Sequence, residues 1–158
     1  MRALLLLAGA ARALTARHLL NGTCASLSKR LDDSFLVPRL EKALQAAKPP
    51  AVQVFANAAH SILLENFLCG LPRKDLRDHV VVWAADAATN ARMRSYLPSV
   101  RIVDVSSAFG SSEDAPFQSE AYAEFAAVKA LMPHAAAALG FSTLTQDADV
   151  VWLADVPS

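Results

Sequence analysis

The alternation of short apolar runs with helical segments is what most constrains the fold of this chain. The stretch 79–85 begins with His79 and is otherwise continuously apolar, which is typical of a parallel strand buried on both faces. Further strands are predicted at 51–56, 100–105 and 141–146, and segments with helical spacing separate them. Because strands that alternate with helices favour a parallel sheet covered by helices, we predict an α/β fold with a mainly parallel sheet.

Prolines and a glycine mark where we expect helices to begin and end. The first helix is predicted over 38–48, with Pro38 in its first turn. A longer helix starts near residue 119 and meets Pro133, which lacks an N–H and therefore predicts a break or a kink. We expect its second part to end at Gly140, because glycine readily adopts the left-handed conformation that terminates helices.

The composition is that of a globular protein. Hydrophobic residues make up 54% of the 158 residues, and 15 basic residues balance 15 acidic ones. No basic stripe interleaved with aromatic residues is present, so we expect no nucleic-acid partner. The two cysteines, Cys24 and Cys69, do not form a disulfide framework, and both one disulfide and two free thiols stay open.

The first 31 residues differ from the rest of the chain, since they contain five basic residues and no acidic one. Residues 4–11 form a short apolar core after Arg2, which predicts a signal peptide or the shortened core of a membrane anchor. This core is shorter than the roughly 20 residues that span a bilayer. An organellar transit peptide and an ordinary N-terminal helix are the alternatives. We therefore divide the chain into this segment, a helix and linker over 32–50, and a domain over 51–158.

Polar residues follow three of the predicted strands, namely Asn57, Asp86, Asp147 and Asp149. In open α/β sheets, ligands bind beyond the carboxyl ends of the strands, so we expect these side chains to converge there. Asp147 and Asp149 are two residues apart and would point to the same side of extended backbone. Two adjacent like charges require a cationic partner, and carboxylate oxygens suit Mg²⁺ or Mn²⁺. The spacing therefore predicts a divalent metal site.

Five stretches of the chain, taken together, resemble the nucleotide-diphospho-sugar transferase family, and in particular the glycosyltransferases placed in family 77. They are 52–57, 65–68, 80–86, 125–129 and 139–153, of which the last is the most specific, with Gly140-Phe141 before Gln146-Asp147-Ala148-Asp149. The resemblance covers about residues 50 to 158. It implies a GT-A fold, which is a Rossmann-like three-layer sandwich, and a divalent cation held by an Asp-x-Asp motif.

The resemblance also implies a role for individual residues. Asp149 would bind the cation, usually manganese, and Asp147 would contact the cation or the ribose. The residues expected to bind the nucleotide-sugar are Phe55, Ala56, Asn57, Asp86, Lys129 and Asp147. Among these, Lys129 would face the diphosphate or the donor sugar.

The expected activity is sugar transfer from a nucleotide-diphospho-sugar, such as a UDP-sugar, to a glycan or glycoprotein acceptor. The resemblance places it in the secretory pathway, in the Golgi lumen or membrane, with an organelle reached by a transit peptide as the alternative. GT-A domains continue well beyond the Asp-x-Asp motif, whereas this chain ends nine residues after Asp149. We therefore expect residues 51–158 to form the donor-binding half of such a domain, and the activity of this half alone is left open.

Two other functions fit the same residues. One is a non-catalytic remnant that binds nucleotide or metal. The other is a phosphatase of the haloacid-dehalogenase type, with Asp147 as nucleophile and Asp149 as acid/base.

Structural roles are the alternative for several single residues. Asn57 and Asp86 would cap the helices that follow them. Trp83 and Trp152 are expected in the core rather than against a sugar. Cys69 is expected to be buried. The four histidines show no ligand spacing and are interpreted as surface residues.

Overall fold

The computed structural model describes residues 33–108 and 119–153, and these residues surround a sheet of four parallel strands. The strands are β1 (Ala51–Ala56), β2 (Val80–Ala84), β3 (Arg101–Asp104) and β4 (Thr143–Gln146). Their spatial order is β3-β2-β1-β4, so the last strand lies beside the first. In the register, Val54 is opposite Val82 of β2 and Gln146 of β4.

Helices cover both faces of the sheet. They are α1 (Asp33–Ala46), α2 (Ser61–Gly70), α3 (Ala87–Tyr96) and α4 (Glu120–Ala138). Helices α1 and α4 contribute to the core cluster that contains Phe55 and Trp83. Helices α2 and α3 contribute to the opposite cluster, which contains Val54 and Val82. Because alternate residues of β1, β2 and β3 enter different clusters, the domain has three layers, and the predicted α/β sandwich of Rossmann-like GT-A type is confirmed.

The two prolines in helices correct the predicted helix boundaries. Helix α1 begins at Asp33 and contains Pro38 in its interior, so the predicted start at residue 38 was wrong. Helix α4 runs without interruption through Pro133, so the predicted break was wrong. Pro133 is exposed, whereas Met132 and Ala136 on the same helix are buried in the core. Packing of this face outweighs the loss of one backbone hydrogen bond.

The end of α4 matches the prediction for Gly140. This glycine has φ +83°, and its N–H donates to the carbonyl of Ala137 at 2.9 Å. The N–H of Phe141 donates to the carbonyl of Ala136 at 3.0 Å. These two bonds form a Schellman motif, which satisfies the last carbonyls of the helix and turns the chain into β4.

A buried glutamine joins β1 to its neighbours. Gln53 is fully buried, and its Nε2 donates to the carbonyl of Met132 at 3.1 Å and to Thr143 Oγ1 at 2.9 Å. Its Oε1 accepts from Trp83 Nε1 at 3.0 Å. One side chain therefore connects β1 with β2, α4 and β4, and it fixes the position of the strand that leads to Asp147.

The predicted N-terminal segment, residues 1–31, lies outside the described residues, as does Cys24. Within the described part of the chain, no helix is long and apolar enough to cross a membrane. The signal peptide, the anchor and the transit peptide stay predictions.

Candidate functional site

A cavity of about 280 Å³ opens at the carboxyl edge of the sheet, near the ends of β1 and β4. Strands β2 and β3 lie on one side of β1 and β4 lies on the other, so the chain connections diverge at this point. Such a switch point is where open α/β sheets bind ligands. The cavity is lined by the end of β1, the segment after it, one face of α4 and the residues after β4: Phe55, Ala56, Asn57, His60, Leu63, Tyr122, Phe125, Ala126, Lys129, Asp147, Ala148 and Asp149.

Both acids of the Asp-x-Asp motif line this cavity. The extended geometry predicted for them was wrong, because β4 ends at Gln146 and residues 148–149 form a turn. Ala148 is buried in the turn, whereas Asp147 and Asp149 are exposed. Burial of the alanine between them therefore leaves both carboxylates at one cavity.

A lysine from α4 pairs with the first acid of the motif. Lys129 Nζ lies 2.6 Å from Asp147 Oδ1, and the two side chains are 44% and 59% exposed. The ammonium partly offsets the repulsion between two adjacent carboxylates. Among the described residues, the cavity is thus lined by one lysine and two aspartates, all within reach of solvent.

Asn57, which follows β1, has the capping role predicted as its structural alternative, and it also lies at the cavity. Asn57 is buried, lines the cavity and caps the short 3₁₀ helix Ala58–His60. Its Oδ1 accepts from the backbone N–H of His60 at 3.2 Å and contacts His60 Nδ1 at 2.6 Å. Because an amide oxygen only accepts, the ring N–H of His60 donates in this contact.

One end of the cavity is aromatic. Phe55 meets Phe125 edge to face, with ring centroids 5.4 Å apart and an interplanar angle of 61°. Tyr122, Phe125 and Lys129 recur at intervals of three and four residues, so they share one face of α4. One face of α4 therefore contributes both the aromatic side chains and the lysine that line the cavity.

The acids that end β2 and β3 have different surroundings. Asp86 is buried and is absent from the cavity lining; its Oδ1 accepts from Thr89 N–H and its Oδ2 from Ala58 N–H, each at 2.7 Å. Asp104 accepts from Ser106 N–H and from Asn90 Nδ2. Burial raises the pKa of Asp104, but hydrogen bonds from Ser106 and Asn90 outweigh it and hold the pKa below 3.8. Both acids stabilise the backbone around the strand ends.

Comparison with known proteins identifies the family. The model of the family described as nucleotide-diphospho-sugar transferase matches residues 75–157, more than half of the chain. The chain belongs to this family. The match includes β2 to β4 and α4, and with them Lys129, Asp147 and Asp149. No curated protein and no solved structure matches the chain.

The oxygen atoms of the cavity can be compared with the ligands that a divalent cation needs. Within residues 33–108 and 119–153, no three His, Cys, Asp or Glu side chains are grouped as metal ligands. The cavity nevertheless holds two exposed carboxylates, Asp147 and Asp149. Mg²⁺ and similar cations are commonly held by one or two carboxylates, with phosphate and water oxygens as the other ligands. The residues therefore fit a cation that arrives with a diphosphate.

Several residues that line the cavity were not predicted from the sequence, namely His60, Leu63, Tyr122, Phe125 and Ala126. The signal for the α4 residues was their helical spacing from Lys129, and His60 lies three residues after Asn57. Cys69 is exposed and contacts the hydroxyl of Tyr96 at 2.8 Å, so its predicted burial was wrong.

The two tryptophans pack against other side chains of the protein core, as predicted. Trp83 is fully buried, and Trp152 is partly buried with its ring edge to face against Phe67, at a centroid distance of 5.7 Å. Neither ring lines the cavity.

We expect Asp86→Ala to lower the free energy of unfolding of the protein by about 2 kcal/mol, because two backbone N–H groups would lose their acceptor. Urea unfolding measures this change. Asp86→Asn retains one acceptor oxygen and should lose about half as much. If Asp86→Ala instead weakened nucleotide binding with no loss of stability, the side chain would be a ligand contact rather than a cap.

Proposed function

We propose that the cavity binds the nucleotide-diphosphate part of a sugar donor and that the protein transfers the sugar to a glycan or glycoprotein acceptor. One observation carries this proposal: a single cavity at the switch point of the sheet joins an aromatic end to a lysine and two carboxylates. A nucleotide-sugar has the matching chemistry, with a flat base at one end and a diphosphate in the middle.

The aromatic end suits the base. Phe55 and Phe125 offer ring surfaces, and aromatic contacts of this kind favour flat π-systems. The buried Asn57 and the ring of His60 supply polar atoms beside them. A uridine nucleotide is the first candidate, because the small pyrimidine suits a cavity of about 280 Å³, near the lower end of the roughly 300–1,000 Å³ typical of ligand sites.

The charged end suits the diphosphate with Mn²⁺ or Mg²⁺. Asp149 and Asp147 would hold the cation through their carboxylate oxygens. When bound, it supplies Lewis-acid stabilisation of the departing diphosphate. Lys129 contributes a further positive charge on the same side of the cavity.

The proposal extends to the acceptor and to the location. A cavity of this size holds a nucleotide but not an extended glycan as well, so the acceptor would bind outside it. We propose that the transfer takes place in the secretory pathway, in the Golgi lumen or at its membrane. An N-terminal signal or anchor would supply the targeting.

The test uses the full chain and a panel of nucleoside diphosphates in calorimetry, with Mn²⁺ or with EDTA. We expect UDP to bind in the presence of Mn²⁺. The affinity for UDP should fall at least about tenfold in EDTA, because the metal contributes several kcal/mol of charge stabilisation. Release of UDP from UDP-sugars then measures turnover. Binding with no release would identify a non-catalytic remnant, and phosphorylation of Asp147 by a phosphate ester would identify the phosphatase alternative. Failure of every nucleotide to bind contradicts the proposal.

A further inference from the structure

The two carboxylates of the cavity are not equivalent. Asp147 is paired with Lys129 at 2.6 Å, whereas no cationic side chain whose position the structure describes pairs with Asp149. The pair joins different elements, since Lys129 comes from α4 and Asp147 follows β4. One acid is therefore already neutralised by the protein itself, and the other is not.

A divalent cation and the lysine ammonium compete for the same oxygen. A cation bound to Asp147 Oδ1 would lie next to the ammonium, and two positive charges so close repel each other. Lys129 is exposed and carries its charge on a flexible stem of four carbons, so it can leave the carboxylate without any change of backbone. The groups in the cavity that would attract it are then the anionic oxygens of a bound diphosphate.

We propose that Lys129 couples metal binding to nucleotide binding. Its ammonium neutralises Asp147 in the ligand-free protein and moves to the diphosphate when the metal takes the carboxylate. The inference rests on the proposed function, since it requires that a diphosphate and a metal share this cavity. It makes Lys129 a nucleotide-binding residue that also sets the affinity for the metal alone.

The coupling predicts two effects of opposite sign for Lys129→Met. Affinity for Mn²⁺ alone should rise about two- to fivefold, because an exposed ion pair shifts an equilibrium by no more than about this factor. Affinity for UDP in saturating Mn²⁺ should fall at least about tenfold, because a charge-assisted hydrogen bond to the diphosphate is lost. If Lys129 had only a structural role, its replacement by methionine would not raise the affinity for Mn²⁺.

The experiment compares the full chain with its Lys129→Met and Lys129→Arg variants. Loss of the free Mn²⁺ signal in electron paramagnetic resonance gives the metal affinity, and calorimetry gives the UDP affinity. Lys129→Arg keeps the charge and should remain near wild type in both titrations. Lys42→Met, an exposed lysine of α1 that is absent from the cavity lining, should change neither.

A double-mutant cycle shows whether Lys129 acts through Asp147. In an Asp147→Asn background, Lys129→Met should no longer tighten Mn²⁺ binding, because the oxygen for which the two cations compete has lost its charge. Unchanged or weaker Mn²⁺ binding by Lys129→Met in the wild-type background overturns the inference. If the wild-type chain binds Mn²⁺ and UDP while Lys129→Met alters neither affinity, only the inference fails. If the wild-type chain binds neither, the proposed function fails and the inference fails with it.

Discussion

Asp149→Ala is expected to reduce Mn²⁺-dependent nucleotide affinity by at least about a hundredfold. Among the residues that the structure describes, Asp147 and Asp149 are the two carboxylates that line the cavity, and Lys129 already pairs with Asp147. Asp149 is thus the carboxylate that a cation can reach without displacing another charge. Without Asp149, the cation would have only Asp147 among the described carboxylates of the cavity, and it would compete with Lys129 for that carboxylate. Calorimetry with UDP in saturating Mn²⁺, and Mn²⁺ titration without nucleotide, measure the two affinities.

The position of Asp149 makes this variant a clean test. The residue is exposed in the turn after β4, so the fold should tolerate alanine and the melting temperature should stay within a few degrees of wild type. Asp75→Ala is the matched control, because Asp75 is an exposed aspartate outside the cavity. Unchanged Mn²⁺ and UDP affinities in Asp149→Ala would show that the metal assignment is wrong.

The sheet could be predicted from sequence because two-sided burial leaves a direct mark on composition. Each observed strand lies within a predicted apolar run, and β1 and β2 are buried at every position. The order of the strands leaves no such local mark. That β4 lies beside β1 depends on contacts between residues about 90 positions apart, such as Gln53 with Thr143. The positions of Pro38 and Pro133 inside helices were not predicted for the same reason, since tertiary packing overrode the local signal of proline.

The candidate site divides along the same line. The predicted residues of β1, α4 and the Asp-x-Asp motif all line the cavity, because they follow or flank the two strands at the switch point: Phe55, Ala56, Asn57, Lys129, Asp147 and Asp149. Asp86 has the same local pattern as Asn57, yet β2 lies on the far side of β1 from β4 and backbone amides occupy both carboxylate oxygens. The nucleotide contact predicted for Asp86 stays a prediction. Sequence spacing alone could not distinguish the two strand ends.

Gln53→Leu is expected to lower the free energy of unfolding by about 3–5 kcal/mol. Leucine is close to glutamine in volume, so the change removes hydrogen bonds without leaving a large cavity. It would deprive the buried Trp83 N–H, the Met132 carbonyl and Thr143 Oγ1 of the partner that they share. Each buried polar group without a partner costs about 1–3 kcal/mol.

The loss should reach the cavity, because Gln53 connects β1 to β4, the strand that directly precedes Asp147 and Asp149. Urea unfolding followed by far-ultraviolet circular dichroism measures the stability, and calorimetry with UDP and Mn²⁺ on the folded variant measures the site. Gln45→Leu is the matched control, since Gln45 is exposed on α1 and its replacement should cost less than about 0.5 kcal/mol. A Gln53→Leu variant as stable as wild type would show that apolar packing alone holds β4 against β1. A destabilised variant with wild-type affinity would show that the network supports the core without positioning the two carboxylates.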